Sequence, residues 1–114
     1  MPRQQCDLLL TDESLSDVAE ISAYIQMSFG KNALSTFVSK WEKQLDFIAS
    51  NPKGSPCTEH EYRGLVIHVK VFKPSLIFYI HEESVNTVVV LRVLREESDW
   101  GSMLDDVDEY HLPT

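Results

Sequence analysis

Four residues of this 114-residue sequence are best suited to contact an anionic or protein target: Arg63, Arg92, Arg95 and Trp100. Arg92 interrupts an apolar run at 88–94, and burying an unpaired guanidinium costs several kcal/mol. Arg92 therefore either binds a partner or pairs with a carboxylate inside the protein. We expect Arg63 and Arg95 to be exposed, whereas Trp100 either anchors the C-terminal part on the core or belongs to a target surface.

Metal and cofactor chemistry have little support in the sequence. The four histidines have no spacing typical of metal ligands, and Cys57 with His60 alone is a weak pair. Cys6 and Cys57 match no redox or metal motif, so we expect free thiols, no metal and no cofactor.

The charge is distributed unevenly along the chain. The net charge is −8 at pH 7, and residues 96–114 hold seven acidic side chains and no Lys or Arg. Nucleic-acid binders usually have a net basic footprint, which this chain lacks. We predict one domain at 1–104 and an acidic tail at 105–114. The tail is either a solvated end or an internal counter-charge that folds over Arg63 and Arg95.

No apolar run is long enough to cross a membrane or to act as a signal peptide. We therefore expect a cytoplasmic protein with no membrane partner.

The order of apolar patterns predicts an α+β fold. A short apolar run at 6–11 is a first strand, and Asp12 is a suitable cap for a helix at 13–28. Gly30 separates it from a second amphipathic stripe at 34–48, which predicts a helical hairpin. Three further strands follow a turn-forming stretch, at 65–72, 76–80 and 87–94. The predicted order is β-α-α-β-β-β, with the hairpin on one face of an antiparallel sheet and the other face partly open.

Both faces of the last predicted strand are apolar, so we expect it to be central and covered on both sides. Alternation places Val89, Leu91 and Val93 on one face, and we assign that face to the helices. Arg92 would then point to the groove on the other face.

Four stretches, taken in order, carry a family resemblance: TDESLSDVAEISAYI, LDFIASNPKGSP, YRGLVIHVKVFKPSLIFYI and VVVLRVLREESDW. They resemble the first helix, the turn after the second helix, the strand hairpin and the closing strand of the RelE/ParE superfamily. These proteins are bacterial toxins of type II toxin–antitoxin systems. The resemblance covers 6–104 and implies the same β-α-α-β-β-β order.

The resemblance implies one of two activities. RelE-like members are ribosome-dependent endoribonucleases that cut mRNA and hold its phosphate with Arg and Lys. ParE-like members lack that set and act on DNA gyrase. In both branches the C-terminal segment of an antitoxin wraps the toxin, which implies a cognate antitoxin here, with an apolar and acidic segment that covers the sheet or helix surfaces.

Residue by residue, the match favours the ParE-like branch. Arg63, Arg95 and Trp100 stand at basic or aromatic positions of the family, but Leu76, Glu96 and Ser98 replace arginines of the nucleases. An incomplete basic set weakens phosphate neutralisation, so catalysis is not expected. We predict a ParE-like toxin that inhibits growth by binding a target such as DNA gyrase. Two alternatives stay open: a RelE-type nuclease that acts on the ribosome and mRNA, and a non-toxic descendant that only binds.

Overall fold

The computed structural model describes residues 5–114 and has two helices packed on a five-stranded sheet. The elements are β1 (Asp7–Leu10), α1 (Asp12–Phe29), α2 (Lys31–Ser50), β2 (Cys57–Tyr62), β3 (Leu65–Phe72), β4 (Ser75–Glu82), β5 (Thr87–Arg95) and α3 (Trp100–Asp105). The sheet order is β1-β5-β4-β3-β2. The α+β fold with its helical hairpin is therefore confirmed.

The sheet is mixed rather than antiparallel throughout. β2 to β5 form an antiparallel meander, but β1 pairs with β5 in parallel. A parallel neighbour needs a long crossover, and the hairpin of α1 and α2 begins the connection that makes this possible. The sequence analysis also missed β2 and α3. β2 alternates exposed and half-buried polar residues at the sheet edge, so it has no apolar run to mark it.

α1 begins one residue earlier than the sequence pattern predicts. The cap is Thr11, not Asp12, and its side-chain oxygen accepts a hydrogen bond from the Ser14 amide at 3.0 Å. Gly30, with φ of 91°, ends α1 and lets α2 start at once.

A β-bulge in β5 changes the expected face assignment. Tyr79 pairs with Val90 and Phe78 with Arg92, so Leu91 is the extra residue. Val88, Val90 and Val93 consequently lie in the core on the helix side, together with Trp41 and Ile48 of α2. Leu91 lies in the opposite core, and Val89 packs against that core. The assignment of Val89 and Leu91 to the helix face was wrong, whereas that of Val93 is confirmed. Leu91 and Val93 lie on different faces because the bulge interrupts strict alternation.

The face of the sheet away from the helical hairpin, called here the second face, is partly open, as predicted, and has a cavity lined by Leu65, Ile80, Leu91 and Tyr110, among others. α3 and the residues after it cover the rest of this face, and Leu104 and Tyr110 are buried against Ile67, Phe78 and Leu91. β5 is therefore central and covered on both sides, as predicted, and much of the second cover comes from this chain itself.

Candidate functional site

Arg92 forms an internal ion pair. Its Nε donates to Asp17 Oδ2 at 2.7 Å, and a terminal guanidinium nitrogen donates to Asp17 Oδ1 at 2.9 Å. Only 17% of the Arg92 side chain and 11% of the Asp17 side chain are exposed. The hydrogen bonds to Asp17 raise the pKa of Arg92 above its ordinary value, against the effect of burial. Of the two roles considered for Arg92, the structure shows the pairing with a carboxylate.

Asp17 also completes the hydrogen bonding of β5. β1 ends at Leu10, and beyond it the first turns of α1 take over the strand edge. Thr11 donates from its amide to the Val90 carbonyl and from its hydroxyl to the Leu91 carbonyl, at 3.2 and 2.8 Å. Asp17 Oδ2 then accepts from the Val93 amide at 2.9 Å. Sequence analysis missed Asp17, although an arginine inside an apolar strand was a signal that a carboxylate had to face it.

Arg63 lies at the tip of the turn between β2 and β3. Tyr62 pairs with Leu65, and both Arg63 and Gly64 have positive φ, at 53° and 80°, as a two-residue type I′ turn requires. The side chain is 65% exposed and donates to Glu109 at 3.2 Å. Its guanidinium carbon lies 5.3 Å from the centre of the Tyr62 ring.

Arg95 lies at the end of β5, opposite Ser75. Its side chain is 67% exposed and pairs with Glu97. The three arginines do not converge on one groove. Arg63 precedes the first residue of β3 and Arg95 lies beside the last, and an eight-residue strand is about 25 Å long.

Trp100 begins α3 and packs on the second face. The centre of its ring lies 5.2 Å from that of Phe78 and 5.8 Å from that of His60. His60 Nδ1 is 2.8 Å from Asp105 Oδ1, so two contacts hold α3 to β2. The observed role of Trp100 is thus to anchor the C-terminal part on the core.

Residues 106–114, called here the C-terminal segment, continue this cover. Tyr110 is buried, its amide donates to the Tyr62 hydroxyl at 2.9 Å, and the two rings meet edge to face. Burial raises the pKa of Tyr110 to about 12. His111 bonds Glu13 through its backbone amide and its ring, at 2.9 and 2.7 Å.

One of the two roles considered for the acidic tail was that of a counter-charge for Arg63 and Arg95. The structure shows this contact at Arg63 only. Glu109 pairs with Arg63, but the partner of Arg95 is Glu97, its near neighbour in sequence. The division of the chain at residue 104 stays a prediction, although Tyr110 packs into the same core as α3.

The charges of the arginines are compensated by carboxylates of the same chain. Each arginine within residues 5–114 pairs with a carboxylate of the same chain, as does Lys53, whose partner is Glu83. Within that range no three His, Cys, Asp or Glu side chains are arranged to hold a metal ion. None of the helices within residues 5–114 is long and apolar enough to span a bilayer.

A second feature that sequence analysis missed is an apolar groove at the free edge of β1, called here the β1 groove. It is lined by Leu8, Leu9, Leu10, Leu15, Leu112 and Pro113. Leu9, Leu15 and Leu112 are 42%, 42% and 47% exposed. The three consecutive leucines were the available signal, but the sequence analysis assigned them only to a first strand.

The sequence and the fold of this chain were compared with those of known proteins. The model of the ParE toxin of the type II toxin–antitoxin system parDE matches residues 8–100. A solved chain described as the chromosomal ParDE TA system from P. aeruginosa superposes with a TM-score of 0.66 at 15% identity. The match covers 82% of this chain and 98% of that one. Comparison with curated protein sequences gave no match. Since the family model spans most of the chain, the protein belongs to the ParE toxin family of type II toxin–antitoxin systems.

Proposed function

We propose that this chain inhibits cell growth by binding a cellular protein, DNA gyrase, and that a cognate antitoxin neutralises it. The proposal rests on membership of the ParE toxin family and on one structural observation. The three arginines of residues 5–114 are dispersed, and each is paired with a carboxylate of the chain itself. This arrangement supports binding over catalysis, and we place the activity in the cytoplasm.

Phosphoryl chemistry on mRNA would need positioned cations around one phosphate. Arg63 and Arg95 lie at opposite ends of the sheet, and Arg92 is held by Asp17. No single phosphate can contact all three. The RelE-type nuclease is therefore the less supported alternative.

The exposed arginines are our candidates for target contact. Ion pairs between solvent-exposed side chains contribute at most about 1 kcal/mol, so Arg63 and Arg95 can exchange their own partners for carboxylates of a target. We assign Arg92 and Trp100 the role of holding the surface in shape rather than touching the target.

The test is induced expression without antitoxin, followed by assays with purified components. Gyrase inhibition with DNA-damage signalling and filamentation supports the proposal, and co-expression of the antitoxin should restore growth. Rapid mRNA cleavage on ribosomes would contradict the proposal and support the nuclease function. A normal growth rate would contradict both toxic functions and support the alternative of a non-toxic descendant that only binds.

A matched pair of variants tests the assigned contacts. R63A/R95A should weaken gyrase inhibition at least several-fold while the melting temperature changes little. K31A/K40A removes two exposed cations of the helical hairpin and should leave inhibition unchanged. If R63A/R95A inhibits gyrase as strongly as K31A/K40A does, Arg63 and Arg95 do not contact the target. Gyrase would remain the proposed target in that case.

A further inference from the structure

The C-terminal segment is anchored to the domain mainly by one side chain. Tyr110 is buried and Val107 is half-buried, while the other residues of the segment are exposed. The segment forms neither helix nor strand, so no ladder of backbone hydrogen bonds holds it. A stretch with so few buried contacts can open locally while the rest of the domain stays folded.

The remaining contacts of the segment lie at the surface. Glu109 accepts from Arg63 at 3.2 Å, and both side chains are 65% exposed. The His111 carbonyl accepts from the Asp12 amide at 2.7 Å, and the exposed His111 ring lies 2.7 Å from Glu13. Exposed ion pairs contribute little to stability, so these contacts orient the segment more than they fix it.

The site in which Tyr110 lies does not satisfy the whole side chain. The Tyr110 hydroxyl is buried and has no hydrogen-bond partner within residues 5–114, and a buried hydroxyl without a partner opposes burial of the side chain. The ring also forms one wall of the second-face cavity, next to Leu65, Ile80 and Leu91. Both features lower the cost of moving Tyr110 out of the core.

The segment covers the surface that its release would expose. Tyr110 packs edge to face on Tyr62 and in one core with Leu91, and Glu109 holds the guanidinium of Arg63. Arg63 is one of our two candidates for target contact. While the segment is in place, Arg63 already has a carboxylate partner and the apolar surface beside it is covered.

The composition of the segment is that of a ligand for a basic and apolar surface. Residues 104–110 read Leu-Asp-Asp-Val-Asp-Glu-Tyr, which combines acidic and apolar side chains. The match to the family model ends at residue 100, so the segment lies outside the matched part of the chain. The chain thus carries, attached to itself, a segment of the apolar and acidic kind that was expected of a partner.

We propose that the C-terminal segment is a releasable autoinhibitory cover of the second face. Bound, it holds Arg63 through Glu109 and covers Tyr62 and Leu91 with the Tyr110 ring. Released, it makes Arg63 and this apolar surface available to the target. The inhibitory part of the inference rests on the proposed function, in which Arg63 contacts the target, whereas the release itself does not.

Hydrogen exchange followed by NMR tests the release on the full chain. The Tyr110 and His111 amides donate to Tyr62 and Glu13, so both should exchange at least tenfold more slowly than in a free peptide. Both should also exchange at least a hundredfold faster than the slowest amides of β4 and β5, because the segment opens before the domain unfolds. Exchange of the Tyr110 amide as slow as that of the slowest β5 amides would overturn the inference.

A peptide of residues 105–114 tests whether the segment binds as a separable ligand. Fluorescence anisotropy should show it binding the folded Y110A chain at least tenfold more tightly than the wild-type chain. The wild-type site is occupied by the attached segment, which acts at a high effective concentration. The control peptide, with Tyr110→Ala, should bind neither chain. A peptide that does not bind Y110A would show that the segment is a fixed part of the domain.

Gyrase inhibition by full-chain variants tests the autoinhibition. E13Q/E109Q removes the carboxylate charges that hold His111 and Arg63, and it should inhibit at a concentration at least threefold lower than wild type. The control D108N changes an exposed carboxylate with no ion pair within residues 5–114 and should inhibit as wild type does. Y110F keeps the ring without the unpaired hydroxyl, so it should hold the segment more firmly and inhibit less. A thermal melt of each variant checks that it is folded.

The results separate this inference from the proposed function. If E13Q/E109Q inhibits gyrase no more strongly than D108N does, the segment does not hide the target surface and the autoinhibition is refuted. If no variant and no wild-type chain inhibits gyrase, the proposed target is wrong and its masking is refuted with it. Hydrogen exchange and peptide binding do not involve gyrase, so they decide in either case whether the segment is a releasable cover.

Discussion

Replacing Asp17 with alanine should be among the most damaging single changes at a polar residue of α1. The carboxylate accepts three hydrogen bonds, two from Arg92 and one from the Val93 amide. Alanine would leave a guanidinium and a strand N–H without partners in a region where little water enters. An unpaired buried charge costs about 3–5 kcal/mol, while a buried polar group costs about 1–3 kcal/mol.

The partial exposure of the pair reduces this cost. With 17% of Arg92 and 11% of Asp17 exposed, water can solvate part of the freed guanidinium. We therefore expect D17A to lower the free energy of unfolding by about 3 kcal/mol, which is roughly 10 °C in melting temperature for a domain of this size. Marginal stability of about 5–15 kcal/mol leaves the variant folded and measurable.

Urea unfolding followed by circular dichroism measures the effect, and a double-mutant cycle isolates the pair. D17A, R92M and the double variant should give a coupling energy of about 2 kcal/mol, because R92M removes the charge that D17A leaves unpaired. R95A is the control, since its exposed pair with Glu97 should contribute less than about 1 kcal/mol. If D17A costs no more than R95A, the internal pair does not stabilise the fold and the reasoning fails.

Three further predictions concern the C-terminal segment and the thiols. Y110F should leave stability unchanged or slightly higher, because the buried Tyr110 hydroxyl has no hydrogen-bond partner within residues 5–114. Y110A should cost about 3 kcal/mol in urea unfolding, and a cost for Y110F as large as that for Y110A would contradict the packing role. The bond to Glu13 raises the pKa of His111. Burial acts to raise the pKa of Glu13, but the hydrogen bonds to His111 act the other way, and the net effect is a lowered pKa. The contact is thus strongest between the ordinary pKa values of the two groups, about 4.5 and 6.5. It is lost as pH rises through the raised pKa of His111 or falls through the lowered pKa of Glu13. An NMR titration of His111 should show the raised value, and E13Q should return it to normal. In thiol labelling Cys57 should react first, because Cys57 is exposed while Cys6 is buried, donates to Asn86 and has a pKa raised by burial. Faster labelling of C57S than of C6S would contradict this order.

Periodicity predicted the long elements because their patterns are local. The apolar stripes of α1 and α2 repeat at helical spacing, and the β-branched runs of β3 to β5 alternate or are uniformly apolar. β2 was missed because an exposed edge strand need not be apolar. The helix cap moved from Asp12 to Thr11 because either side chain can cap, and the contact of Thr11 with Leu91 decided between them.

The sequence by itself determined the α+β class, the family resemblance, the acidic charge and the choice of Arg63, Arg92 and Arg95 as the arginines of interest. The tertiary structure alone decided what those arginines do. A side chain's partner depends on residues far away in sequence, and Asp17 and Arg92 are 75 residues apart. The bulge at Leu91 and the edge position of β1 likewise follow from strand pairing, which no local pattern encodes. That pairing places β1 at an edge of the sheet, and it separates Arg63 from Arg95 by the length of a strand.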